Sequence, residues 1–115
     1  MPNGAATVSE PRKQIIKFYL YWPEQMMVHY NIHVYGRVQG VGFRYSAQKA
    51  AEQHGITGFV RNISDGSVYL EIEGGADACY GFIEWLKSSP GLSRVDDVQV
   101  QESGMSHFIE FLIKR

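Results

Sequence analysis

The chain has 115 residues, of which 44% are hydrophobic and 20% charged, and its formal net charge is −1. That length supports one hydrophobic core and excludes two independent ones. The near-neutral balance excludes a global pull toward nucleic acid or anionic lipid, so any anion site has to be local.

The chain opens with "MPNGAATVSEPRKQ", polar and turn-rich, with too little apolar surface to offset its own ordering. "IIKFYLYW" follows and is suited to add a strand or to pack on a surface. It falls far short of the roughly 20 apolar residues of a membrane span, and it carries Lys17. No small-residue cleavage site follows it, as a signal peptide would need. Residues 1–26 are therefore expected to be an accessory extension and residues 27–115 the compact domain, with Met26 or Met27 a candidate natural start.

"VHYNIHVYG" alternates, placing Val28, Tyr30, Ile32 and Val34 on one side of a predicted strand. The glycine-rich stretch "GRVQGVGFR" at 36–44 leads into a predicted helix, "FRYSAQKAAEQHG", with Phe43, Ala47, Ala50 and Ala51 on one face and Gly55 as its stop. "ITGFVRN" and "SVYLEIEG" read as strands joined by the turn signal "SDG". In the second, Val68, Leu70 and Ile72 face one way and Tyr69, Glu71 and Glu73 the other.

"ADACYGFIEWLKSS" predicts a second helix with an apolar stripe of Cys79, Phe82, Ile83 and Leu86, ended by Pro90-Gly91. As the single cysteine, Cys79 excludes an internal disulfide and suits a reducing, cytoplasmic setting. Its place in the stripe predicts a buried apolar residue rather than a reactive thiol. "SRVDDVQVQES" and "HFIEFLIKR" complete the chain as strands, with a break expected around Ser103-Gly104 and alternation of Ile109, Phe111 and Ile113. The order β-α-β-β-α-β predicts an α+β, ferredoxin-like sandwich: an antiparallel sheet with two helices on one face. His29, His33, His54 and His107 form no cluster at metal-ligand spacing, so they are read as incidental and no metal is expected.

The glycine loop joins the first strand to the first helix, where backbone N–H groups and the positive end of the helix dipole can converge on an anion. Gly40 and Gly42 permit conformations closed to other residues, and Arg44 adds a planar fork of donors suited to phosphate. No Lys-Ser or Lys-Thr follows, so the parts of a Mg-nucleotide loop are missing. Taken alone, the glycines serve a tight turn equally well, Arg44 a solvated helix face, and Arg37 the surface. Asn62, before the "SDG" turn, reads first as a turn residue, while its carboxamide is also the right group to hold a water.

Together "GRVQGVGFR" and "GFVRNISDGSV" (58–68) resemble the two signatures of the acylphosphatase family, and "FLIKR" resembles its last strand. The resemblance spans about residues 28–115. It implies hydrolysis of acyl phosphates to a carboxylate and inorganic phosphate, with no cofactor. It also implies that the N–H groups of Gln39, Gly40, Val41, Gly42 and Phe43, with the Arg44 guanidinium, bind the phosphoryl oxygens, and that Asn62 holds the attacking water. The alternative is a silent module that binds a phosphorylated metabolite such as carbamoyl phosphate. The expected partner is a small-molecule acyl phosphate, without nucleic acid or membrane, and the expected state is a monomer. An RNA-binding sheet is disfavoured because Glu71 and Glu73 share the face of Tyr69 and would repel phosphates.

Overall fold

The computed structural model describes residues 26–115. The expectation that "IIKFYLYW" forms a strand or surface element falls outside them. The elements are β1 (Met27–Arg37), α1 (Phe43–Gln53), β2 (Thr57–Asn62), β3 (Val68–Gly75), α2 (Ala76–Lys87), β4 (Arg94–Ser103) and β5 (Phe111–Lys114). They form one sheet in the order β4-β1-β3-β2-β5. The expected βαββαβ order is present, and the last strand region is split at the expected place.

Period-two patterning sets which side of the sheet is buried. Ile32 and Val34 of β1 lie beside Leu70 and Val68 of β3, with Val60 of β2 across from Leu70, and all five are fully buried. The helices cover this side. Phe43, Ala47, Ala50 and Ala51 of α1 and Cys79, Phe82, Ile83 and Leu86 of α2 join the same core. Phe82 is wholly enclosed, so truncating it to alanine would cost about 3–5 kcal/mol. Burial pushes the Cys79 thiol up to about 11, which fits its reading as an inert apolar residue.

The sheet is mixed, which corrects the expectation of a wholly antiparallel one. β1 pairs antiparallel with β3 and β4, and β2 antiparallel with β3, but β5 runs parallel to β2. The route of the chain explains this. β4 ends with Ser103 opposite His29, at the start of β1, and β5 begins with Phe111 opposite Gly58, at the start of β2. Residues 104–110 thus pass from one edge of the sheet to the other at one level, and β5 then climbs in the direction of β2.

The same crossing overturns the alternation expected of Ile109, Phe111 and Ile113. Phe111 is buried, but Ile109 lies before the strand and is 90% exposed, and Ile113 is 39% exposed. The crossing segment spends its backbone donors elsewhere. The N–H groups of Ser106, His107 and Phe108 all donate to the Glu73 carboxylate on β3, at 3.2 Å from His107 and 2.9 Å from Phe108. Phe108 packs edge-on against Phe59, with ring centroids 5.8 Å apart, and 5.7 Å from the His29 ring.

His29 is therefore not incidental. It is 1% exposed, and Glu73 beside it 2%. Its Nδ1 lies 2.7 Å from Glu73, and its Nε2 lies 2.8 Å from Asn31 Oδ1 and 3.1 Å from Glu71. Both ring nitrogens face acceptor oxygens, an environment that suits the doubly protonated imidazolium. Burial alone would lower its pKa. The hydrogen bonds to Glu73 and Asn31 and the nearby carboxylates of Glu71 and Glu73 outweigh burial and raise it above 6.5. Burial would likewise raise Glu73, yet the bonds from His29, Ser106 and Phe108 hold it below 4.5.

These opposite shifts define a pH window. Glu73, with its pKa depressed on folding, contributes stability that is present above about 4.5 and lost as pH falls through its folded value. His29, with its pKa raised, contributes stability that is present below about 6.5 and lost as pH rises through its folded value. Unfolding free energy should show the full contribution of the pair between those limits and decline on both sides. Glu73→Gln should flatten the acid side, and Glu73→Ala should cost about 3–5 kcal/mol in denaturant melts by taking from the buried imidazole its nearer carboxylate and from the crossing segment its acceptor.

Candidate active site

Strand β1 ends at Arg37 and the chain turns through residues 38–42 into α1. Gly40 (φ 76°) and Gly42 (φ 75°) both adopt the left-handed region. Nothing lies within 4 Å of where a Cβ would stand on either, so conformation and not crowding demands glycine. The open space over both also leaves the backbone accessible to a ligand.

Gly42 caps α1 without any side-chain bond, and the first turn carries no acidic residue. The first backbone bond closing the helix is Ser46 N–H to Gly42 O, at 3.1 Å. In the backbone network of the described residues the N–H groups of Gln39, Gly40, Val41, Gly42 and Phe43 donate to no carbonyl. A helix start with spare donors and no local anion is electrostatically ready for one. Val38 and Phe43, buried at 1% and 3% exposure, root both ends of the turn in the core.

Val38, Gln39, Gly40, Gly42, Phe43, Arg44, Tyr45, Asn62 and Ile113 line one cavity of about 240 Å³. The two signatures therefore meet in space. Arg44 reaches across to the last strand, where its Nη1 donates to Lys114 O at 3.0 Å, so the end of β5 fixes one prong of the fork. Arg37, read from the sequence as a surface residue, is exposed at the end of β1 opposite Arg94 and does not line the cavity. Val41 packs against the core and contributes to the loop through its backbone.

Asn62 closes β2, paired with Val68. Its Oδ1 is buried and has no hydrogen-bond partner among the described residues. Leaving such an oxygen unsatisfied costs about 1–3 kcal/mol, so it calls for a reason. A turn asparagine would spend this oxygen on the backbone two residues on. That job is done by Asp65, whose Oδ1 accepts from Ser67 N–H at 2.9 Å and Ser67 Oγ–H at 2.5 Å.

Two contributions were not legible in the sequence. The side chain of Gln39 donates through Nε2 to Ile63 O and Ser67 O, each at 2.8 Å. The Lys114 carbonyl that holds Arg44 is a main-chain atom and carries no sequence signal. A larger cavity of about 540 Å³ lies on the opposite face of the sheet, lined by Asn31, His33, Tyr69, Gln99 and Gln101. It has no lysine, no arginine and no helix start, so it lacks the donors that the glycine-loop cavity offers an anion.

Against known proteins, the acylphosphatase family profile matches residues 30–113. An acylphosphatase of Trichormus variabilis is 39% identical over 93 residues, covering 81% of this chain and 92% of its own. The crystal structure of acylphosphatase from Bacillus subtilis superposes with a TM-score of 0.74 at 40% identity, over 78% of this chain and all of that one. Full-length HypF, solved in a phosphate- and nucleotide-bound form, matches with a TM-score of 0.70 at 30% identity, but over only 12% of its length.

Inorganic phosphate is a direct probe of the loop and Arg44. Arg44→Lys keeps the charge but loses the planar fork. One charge-assisted bond is worth about 1.5–3 kcal/mol, so phosphate should bind the variant roughly 10- to 100-fold more weakly. Titration calorimetry or NMR shift mapping would read this. Undiminished affinity would place the phosphate site elsewhere.

Proposed function

The chain belongs to the acylphosphatase family, and from that premise we propose that the glycine loop, Arg44 and Asn62 carry out its reaction. The protein is an acylphosphatase, a hydrolase that cleaves the carboxyl–phosphate bond of small acyl phosphates. The observation that carries the residue roles is that Asn62, whose buried Oδ1 has no partner among the described residues, lines the cavity that also holds the loop and Arg44.

The cavity is lined by no carboxylate, imidazole, thiol or ammonium group. For this substrate none is required. The leaving carboxylate is the base of an acid with a pKa near about 4, so it departs without protonation. The transition state of phosphoryl transfer is loose and metaphosphate-like, and it needs positioning and charge stabilisation above all. In the proposed arrangement the N–H groups of Gln39 to Phe43 and the Arg44 guanidinium take the phosphoryl oxygens. A preformed cradle of this kind stabilises the transition state without reorganising.

Asn62 Oδ1 accepts a hydrogen bond from one O–H of a water and turns the water's lone pair toward phosphorus. Attack forms the new P–O bond as the bond to the acyl oxygen breaks. Water and acyl phosphate become carboxylate and dihydrogen phosphate, and both of the water's hydrogens stay on the phosphate product. No side-chain base has to hold either.

A silent phosphate-binding module would need only the loop and Arg44. An asparagine holding a free, buried oxygen favours turnover instead. The further reading is a monomeric, cytoplasmic enzyme acting in its domain of residues 27–115. No helix among the described residues is long and apolar enough to cross a membrane.

Asn62→Ala should separate binding from turnover. Inorganic phosphate should bind the variant within a few-fold of the parent, while kcat falls roughly 100-fold or more, the cost of losing one positioned group. If kcat holds and only thermal stability drops, Asn62 is a turn residue and the mechanism is wrong. Exhaustive chelation should leave kcat unchanged, because no carboxylate, imidazole or thiol lines the cavity to hold a metal. A loss restored by a divalent cation would overturn that reading of the site.

A further inference from the structure

We propose that Gln39 is a positioning residue whose side chain sets Asn62 against the phosphate loop, a role that rests on the functions proposed above for Arg44 and Asn62. The two halves of the site come from different parts of the chain. The loop follows β1 and Asn62 ends β2, and β1 and β2 are not neighbours, because β3 lies between them. β3 ties the two strands together, with Val68 opposite both Val34 and Asn62, but no ladder pairs the loop beyond Arg37 with the hairpin beyond Asn62.

The Gln39 carboxamide spans that gap. Its Nε2 carries two hydrogens, and the structure provides two acceptors, Ile63 O and Ser67 O, each at 2.8 Å. Ile63 directly follows Asn62. The same carbonyls close the β2–β3 hairpin, since Ser67 O accepts from Ile63 N–H at 2.9 Å and Ile63 O from Gly66 N–H at 3.1 Å. Gln39 thus grips the mouth of the hairpin at both of its sides. Its own backbone N–H belongs to the phosphate loop, so one residue touches both halves of the site.

The chemistry of the contact selects the residue. Two carbonyls need two diverging donors on one atom without a net charge beside the phosphate. Glutamate donates nothing when ionised, lysine adds a flexible charge, and asparagine is one methylene too short. The catalytic requirement is equally narrow. A water aligned for in-line attack loses on the order of 100-fold in rate for a displacement near 1 Å. A hairpin free to drift by that distance would still bind phosphate and would turn over slowly.

A double-mutant cycle on kcat, with phosphate affinity measured alongside, tests this. Gln39→Met keeps the length of the side chain and removes both donors. In the parent it should lower kcat on the order of 10- to 100-fold, with phosphate binding changed by only a few-fold. In the Asn62→Ala background the same substitution should change kcat less than about 3-fold, because there is no longer a positioned water to misplace. Fully multiplicative losses, or a fall in phosphate affinity parallel to kcat, would make Gln39 a support of the cradle and overturn the proposal. If Asn62→Ala alone leaves kcat unchanged, the premise fails rather than the bridge, and that single variant identifies the failure. Should Gln39→Met not fold, Gln39→Asn completes the same cycle. If neither folds, the bridge is a folding contact and the positioning role is refuted.

Discussion

The Glu73 carboxylate is the point on which the second half of the molecule hangs. It sits on a central strand, nearly inaccessible to solvent, and gathers three main-chain N–H groups and an imidazole. Those main-chain donors belong to a segment with no ladder partner of its own. A buried anion is tolerable only when its acceptors are filled, and an irregular segment is tolerable only when its donors are spent. Each requirement is met by the other. Once 104–110 is fixed to β3, β5 can start only at the foot of β2. It then has to run toward the glycine loop, and it delivers the Lys114 carbonyl to Arg44. A contact on the far face of the sheet thus has an end in the active site.

The site itself is built mostly from main chain. Its donors are amides in a turn that two left-handed glycines make possible, and its polar side chains are a guanidinium, two carboxamides and the Tyr45 phenol. Such a site can serve only a substrate whose leaving group departs unaided, and a mixed anhydride of phosphoric and carboxylic acids is one. The same parts would fail with an alkyl phosphate, whose alkoxide leaving group has to be protonated.

Much of this was legible in the sequence, for physical reasons that differ from part to part. Strands β1 and β3 have one buried face, so Ile32, Val34, Val68, Leu70 and Ile72 show period two. The helices show theirs through Ala47 and Ala51, or Phe82 and Leu86. Gly40, Gly42, Arg44 and Asn62, which line one cavity, stood out because they fall in two short motifs of fixed residue type and spacing. The direction of β5 was not, because hydrophobic alternation records which face is buried and says nothing of the route by which a strand arrives. His29 read as incidental for a related reason. Its partner Glu73 lies 44 residues away and only pairing of β1 with β3 brings them together. Gln39 to Ile63 and Ser67, at separations of 24 and 28, and Arg44 to Lys114, at 70, escape a linear reading in the same way.

The unpartnered oxygen of Asn62 also bears on how the protein can evolve. In the resting enzyme it weakens the fold, since a smaller or apolar residue at the end of β2 would leave nothing unsatisfied. Selection for stability alone would remove it, and the water-holding role proposed for Asn62 supplies the opposing pressure. Members of this architecture that have given up catalysis, and use the loop only to hold a phosphorylated ligand, are free of that conflict. They should drift at this one position first, keep the glycines and the arginine, and become more robust as they fall silent.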